Sequence, residues 1–326
     1  MNDSDPPKPE ERRPFQFSLR TLLIAVLVLS VFFGWLGSRL QRARENRQAV
    51  AEVLKLKAEV ERFGRKVEVS WQEPRPDWLD RLAGEPGVLR ITAVTDDFSS
   101  PGLAESSFGD TGLEYLKGLT TLRSLALEGT RVTDAGLQHL EGLTSLESLQ
   151  ITRIRPPSTP GRITDVGLER LKGLTNLTRL EIRHLRVTDA GLEHLQGLAK
   201  LEHLTLDFTQ VTDTGLRHLS GLTKLQELRL NSPQVTDSAL EHLSELVGLK
   251  ELYLFQSQAT DAGLEYLEGL TGLVVLCLDC PRVTDVGLMH LRCLTGLEEL
   301  YLVNSQVTDE GVQKIRKCLP NCKITH

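Results

Sequence analysis

Nine aspartates recur at one place in a repeating pattern: Asp110, Asp134, Asp165, Asp189, Asp213, Asp237, Asp261, Asp285 and Asp309. Successive members are 24 residues apart, except for 31 between Asp134 and Asp165. Periodic carboxylates could bind calcium, but calcium-binding solenoids use Gly-Gly-x-Gly-x-Asp loops. Here Thr precedes every Asp but Asp110, which follows Gly109. An Asp just before an apolar helical stretch is instead predicted to be an N-cap, accepting backbone N–H groups. A second column holds His139, His194, His218, His242 and His290, with Tyr115, Tyr266 and Arg170 elsewhere in it. A zinc site needs ligands converging at about 2 Å, whereas stacked repeats spread these histidines over an outer face. Cys277 and Cys280 form a Cys-x-x-Cys pair, but along a strand that odd spacing sends the two thiols to opposite faces. Cys293 takes a helix-exit glycine position, Cys322 a core position, and Cys318 could pair with Cys322 in an oxidising compartment. No phosphate loop or nucleophile elbow is present. These residues predict no catalytic site, no metal site and no cofactor, so the chain reads as a non-enzyme.

The elements that must position these residues form a repeat of about two dozen positions. Leu201 to Lys224, LEHLTLDFTQVTDTGLRHLSGLTK, is its clearest copy. The unit opens as Leu-x-x-Leu-x-Leu-x-x-Thr-x-Val, as at Leu122, Leu125, Leu127, Thr130 and Val132. Leu125 and Leu127 alternate as in a short strand with one buried face. Asp134 then opens a short helix with Leu137 and Leu140 on one side, and Gly142 suits its exit. One such unit buries too little apolar surface to offset the entropy of ordering it, so the units must stack.

The unit resembles the leucine-rich repeat from Leu103 to the C-terminus. Its tail, VTDxGLxxL, is similar to the cysteine-containing subtype of F-box proteins and to short bacterial repeats. Two departures stand out: the Asn column holds Thr130, Ile154, Leu185, Thr209, Pro233, Ser257, Pro281 and Ser305, and the subtype's Cys is missing. The turn after each strand must therefore be satisfied differently. The resemblance implies an α/β solenoid, a right-handed arc with a parallel concave sheet and short convex helices, used for protein–protein recognition.

The rest of the chain divides by composition. Residues 1–18 are polar, Pro-rich and charged, as in a disordered tail. Residues 19–37, LRTLLIAVLVLSVFFGWLG, carry Arg20 as their one charge and predict a transmembrane helix with Trp35 as interfacial anchor. A cleaved signal peptide is the other reading, but no A-x-A-like site follows. Lys8, Arg12, Arg13 and Arg20 before the span nearly balance Arg39, Arg42, Arg44 and Arg47 after it. An anchor this near the N-terminus by default exports the body, which places the repeats outside the cytoplasm. Residues 38–65 predict a basic juxtamembrane helix or stalk whose stripe Ala49, Val53, Leu56, Val60 and Phe63 could self-associate or pack on the first repeat. Its positive charge suits lipid headgroups.

Residues 66–109 predict an N-terminal cap with strands at Val67–Trp71 and Val88–Val94, a short helix from Asp77, and a loop from Thr95 to Gly109. Residues 110–326 form the array and its C-terminal cap, in which LPNCKI predicts a last strand. A seven-residue insertion within Thr152 to Arg162 carries Pro156, Pro157 and Pro160 and must bulge from the rim.

Pleating turns the residues between strand leucines onto the open face. Apolar bulk there gathers in the last three units, at Tyr253, Phe255, Val275, Cys277, Tyr301 and Val303, across about 14 Å. Such a cluster offers anchors for a protein ligand. Arg179, Glu181, Arg183, His203, Glu227 and Arg229 form a charged neighbour that could set specificity. From Val67 onward 36 acidic residues face 25 basic ones, the wrong sign for nucleic acid. The leading expectation is a single-pass membrane protein presenting the array to a protein ligand. Three alternatives stay open: a cytoplasm-facing scaffold, an F-box-like ubiquitin adaptor suggested by the resemblance alone, and a hydrolase with a non-periodic site.

Overall fold

A computed structural model describes residues 66–72, 87–94, 109–117, 119–120, 122–129, 131–153 and 163–326, the first two segments as backbone only. The tail (1–18), the transmembrane helix (19–37) and the stalk (38–65) expected from the sequence lie outside the described residues, as do the helix from Asp77, the loop from Thr95 to Phe108 and 154–162 of the insertion. Among the described residues no helix is long and apolar enough to cross a membrane.

The described strands make one sheet in sequence order. They are β1 (Lys66–Gln72), β2 (Gly87–Val94), β3 (Leu122–Glu128), β4 (Ser148–Thr152), β5 (Arg179–Arg183), β6 (His203–Asp207), β7 (Glu227–Asn231), β8 (Glu251–Phe255), β9 (Val275–Asp279), β10 (Glu299–Val303) and β11 (Lys323–Thr325). β1 pairs antiparallel with β2, and every later neighbour pair is parallel. Parallel neighbours require a crossover, and each repeat supplies one as a short helix, such as Asp213–Leu216, often followed by a turn of 3-10 helix. The sheet thus has helices on one face and an open face on the other. Between the layers lies one continuous core, to which Leu201, Leu204, Leu206, Val211, Leu216, Leu219 and Leu222 contribute from a single repeat, each no more than 1% exposed.

Without an Asn column, the turn after the strand is closed in two ways. Gly129, His184, Phe208, Gln256 and Asn304 adopt positive φ, between 50° and 61°. That bend aims their N–H groups or the next ones at the following repeat, as in Phe208 N to Asn231 O at 3.0 Å and Ser257 N to Asp279 O at 3.1 Å. Pro233 and Pro281 disfavour that conformation in the residue before them. There the preceding residue turns inward instead: Ser232 donates to Val211 O at 2.9 Å, and Cys280 is fully buried. Ser257 bonds Val235 O at 3.1 Å from the Asn position itself. At the Ser232 and Ser257 turns a hydroxyl takes a carbonyl in place of the amide ladder.

The C-terminal segment LPNCKI leads into β11, which pairs in register with β10, and buries Leu319, Cys322 and Ile324.

Candidate functional site

The Asp column does not cap its own helices. In most repeats the cap is the preceding Thr: Thr212 Oγ1 accepts from Thr214 N at 3.3 Å. Asp189 instead reaches forward to the next repeat, accepting Thr212 N at 2.7 Å and Thr212 Oγ1 at 2.6 Å. The same two bonds link Asp110 to Thr133, Asp165 to Thr188, Asp213 to Thr236, Asp237 to Thr260, Asp261 to Thr284 and Asp285 to Thr308. They also span the insertion, from Asp134 to Thr164 at 2.8 and 2.7 Å. At Asp309 the partner is instead His326, whose Nε2 meets the carboxylate at 2.8 Å. The N-cap expected of Asp is thus corrected: a hydroxyl has both a donor and an acceptor, so Thr can cap its helix and bond the previous Asp at once. A Cβ on Gly215 would stand 2.3 Å from Asp189 Oδ1, so the glycine two residues after the Asp leaves room for the incoming carboxylate; after Thr236-Asp237 the position is Ala239, and there Asp213 still holds Thr236.

The histidine column stays dispersed. His290 Nδ1 contacts Glu268 at 2.8 Å and His218 contacts Gln196, and no group of three metal-ligating side chains occurs among the described residues. All five cysteines are free, with Cys277, Cys280 and Cys322 buried and Cys293 and Cys318 exposed. Burial pushes the Cys277 thiol up and the Cys280 thiol up to about 12, so both stay protonated packing groups rather than nucleophiles.

The open face holds both clusters expected from the sequence. On β5 to β7 the charged cluster is internally paired. Glu181 lies 3.6 Å from Arg179 and 3.2 Å from Arg183, Arg183 lies 3.6 Å from Asp207, and His203 Nδ1 lies 2.8 Å from Glu227. Asp207, only 9% exposed, is pushed above the usual carboxylate range by burial, against the pull of Arg183 and Arg229. At the rim, His184 stacks on the half-exposed Phe208 with ring centroids 4.4 Å apart. Neither ring belonged to the sequence-derived set, because their outward direction depends on the positive φ of the turn.

The aromatic cluster lies on β8 to β10. Tyr253, Cys277 and Tyr301 are successive partners in register, as are Glu251, Val275 and Glu299. Tyr253 and Phe255 stand in near-parallel planes, interplanar angle 16° and centroids 6.2 Å apart. The Arg229 guanidinium covers them, 4.4 Å from the Tyr253 centroid and 5.6 Å from that of Phe255. That cation–π contact joins the charged cluster to the aromatic one. Tyr253 donates its hydroxyl to Glu251 at 2.9 Å, and Tyr301 donates likewise to Glu299. Burial first, then the Glu251 bond, raises the Tyr253 pKa; the Glu299 bond raises that of Tyr301. Cys277, 6% exposed, is the floor between the tyrosines, and Val303, 42% exposed, is the outermost apolar group. Glu251 and Glu299 were not among the sequence-derived site residues. The signal was present, since each precedes a strand tyrosine by two and must share its face.

The sequence model described as Leucine Rich repeat matches residues 118–140 and 293–315. No curated protein matches the chain. Among solved structures, internalin InlF of Listeria monocytogenes is similar at 24% identity and TM-score 0.47, over 65% of this chain and 62% of that one. Internalin C2 of the same organism is similar at 26% identity and TM-score 0.49, over 71% of this chain and 82% of that one. This chain therefore spans less than two thirds of the length of the first. Both segments matched by the sequence model fall within the periodic array, so in those two stretches the repeating unit is similar to a leucine-rich repeat.

Proposed function

We propose that this chain recognises a protein ligand through the open face of its sheet, with Tyr253, Phe255 and Tyr301 as anchors. The observation that carries the reading is the in-register aromatic cluster on β8 to β10, half-exposed on a rigid parallel sheet whose other open-face strands are mostly polar. Aromatic anchors on a preordered surface lose little entropy on binding. In the same reading the chain is not an enzyme, residues 19–37 anchor it in a membrane, and the stalk at 38–65 could self-associate. The array then lies outside the cytoplasm; a cytoplasm-facing scaffold would use the same surface with other partners. The support for the anchor is the apolar run, while the flanking charges nearly balance and choose neither side.

Site-specific photo-crosslinking of the full-length chain in its own cells tests the recognition reading. A photoreactive residue at Val303, on the open face, is compared with one at Val286, which is 67% exposed in the helical layer. A discrete protein adduct from position 303 alone, lost in a Tyr253→Ala/Tyr301→Ala double variant with unchanged thermal unfolding, is the expected result. The same adducts from both positions, or an adduct indifferent to the double variant, would remove the proposal.

A further inference from the structure

We propose that the aromatic cluster is a slot for a long cationic side chain, lysine or arginine, presented by a basic protein partner. This deepens the recognition reading above and rests on it. The slot follows from residue size and register. β9 places the small Cys277 between its register partners Tyr253 on β8 and Tyr301 on β10, and Val275, the next residue on the same face, between Glu251 and Glu299. Two strand spacings put β8 and β10 about 9.5 Å apart. A methylene chain touching a ring on each side needs about 7–8 Å between the ring planes. The walls therefore accommodate one unbranched aliphatic stem lying over Val275 and Cys277.

Both mouths of the slot are acidic. Glu251 and Glu299 flank Val275 at one end, and each accepts only its own tyrosine's hydroxyl among the contacts described above. An ionised carboxylate has about four lone-pair sites, so each can take a further donor. Asp279 stands at the other end on β9, accepting Asn304 Nδ2 at 2.9 Å and Gln256 N at 3.2 Å. The facing cations are Arg229, engaged on the rings of Tyr253 and Phe255 from the β7 side, and Lys323, in register with Glu299 on β11. Arg229 covers the β7 side of this wall, which leaves the β9 side to the slot. Its position also shows that the electron-rich ring faces accept a guanidinium. An acidic array draws a basic partner toward such a slot by long-range attraction, and the slot then discriminates by stem length and charge.

The test uses the full-length chain and two dye-labelled peptides of alternating glycine and lysine or glycine and Nε-acetyl-lysine, read by fluorescence polarisation. The expected result is binding of the lysine peptide in preference to its acetylated counterpart. It should weaken about tenfold in Glu251→Gln/Glu299→Gln. It should weaken similarly in Val275→Phe, which fills the slot and leaves every charge in place. The control Glu241→Gln/Glu265→Gln, at exposed positions of the helical layer, should bind as the wild type does. Equal weakening in the control pair would reduce the effect to diffuse acidity and overturn the slot. So would full binding by Val275→Phe, or no preference over the acetylated peptide. In each of those cases an adduct from position 303 that depends on the tyrosines would leave protein recognition by this face standing, so the two failures are separable.

Discussion

At the scale of single residues, the Asp–Thr pair is the joint of the molecule. Each carboxylate takes two donors from a residue 23 positions on, or 30 across the insertion, so the pair ties repeats together rather than ordering one helix. Asp189→Ala leaves Thr212 N and Oγ1 without that acceptor and should cost about 1.5–3 kcal/mol, read from urea unfolding. Gly215→Ala should cost much less in the same unfolding measurement, because Ala239 occupies the equivalent position beside Asp213 with both bonds to Thr236 kept. Bonds from the Thr308 hydroxyl and N–H hold Asp285 below the usual carboxylate range. A depressed carboxylate contributes stability that is complete above its unfolded pKa, about 4, and is lost as pH falls through the lower folded value. The stability of Asp285→Asn should therefore change less than that of wild type between about pH 4 and 2. Asp207 runs the other way: burial raises its pKa, so its contribution is present below the unfolded value and is lost as pH rises through the folded one. The aspartate column was legible in the sequence, but its role was not. Cap rules describe neighbours in the chain, and the partner here is a neighbour only after stacking.

At the scale of elements, a leucine pattern of two periods forces a strand and a short helix, and stacking makes the sheet parallel. The turns between them vary with one residue type, since proline at positions 233 and 281 disfavours, in the residue before it, the left-handed bend used by His184, Phe208, Gln256 and Asn304. β11 has a role of its own in the sheet. β11 covers the edge of β10 with three residues, and Leu319 and Ile324 are buried behind it. Deleting residues 319–326 should remove about 3–6 kcal/mol of burial from those two side chains and expose a bare parallel edge. Lower thermal stability together with concentration-dependent light scattering is the expected outcome; a truncated chain that unfolds like the full one would show that β10 needs no cover.

At the scale of the whole molecule, the array is one layered body whose exposed thiols can report where it resides. Cys293 and Cys318 should react with a membrane-impermeant maleimide in the folded chain, while Cys277, Cys280 and Cys322 react only after denaturation. In intact cells, labelling of the exposed pair supports the extracytoplasmic reading. Protection until lysis, with the lysate reactive, would overturn it and favour the cytoplasm-facing scaffold.

What the sequence by itself determined is what depends on period: the 24-residue unit, the strand and helix within it, the face on which Tyr253, Phe255 and Tyr301 stand, and a last strand at the end of LPNCKI. Alternation along a strand is local, so a leucine column assigns an inside and an outside without knowledge of neighbours. Tertiary structure alone decided what passes between repeats. It set the forward reach of Asp to Thr, the docking of Arg229 over two rings, the pairing of each open-face tyrosine with its own glutamate, and the slot between β8 and β10. Those depend on rotamers and on distances of one strand spacing, and side chains 24 residues apart acquire such distances only when the chain has stacked upon itself.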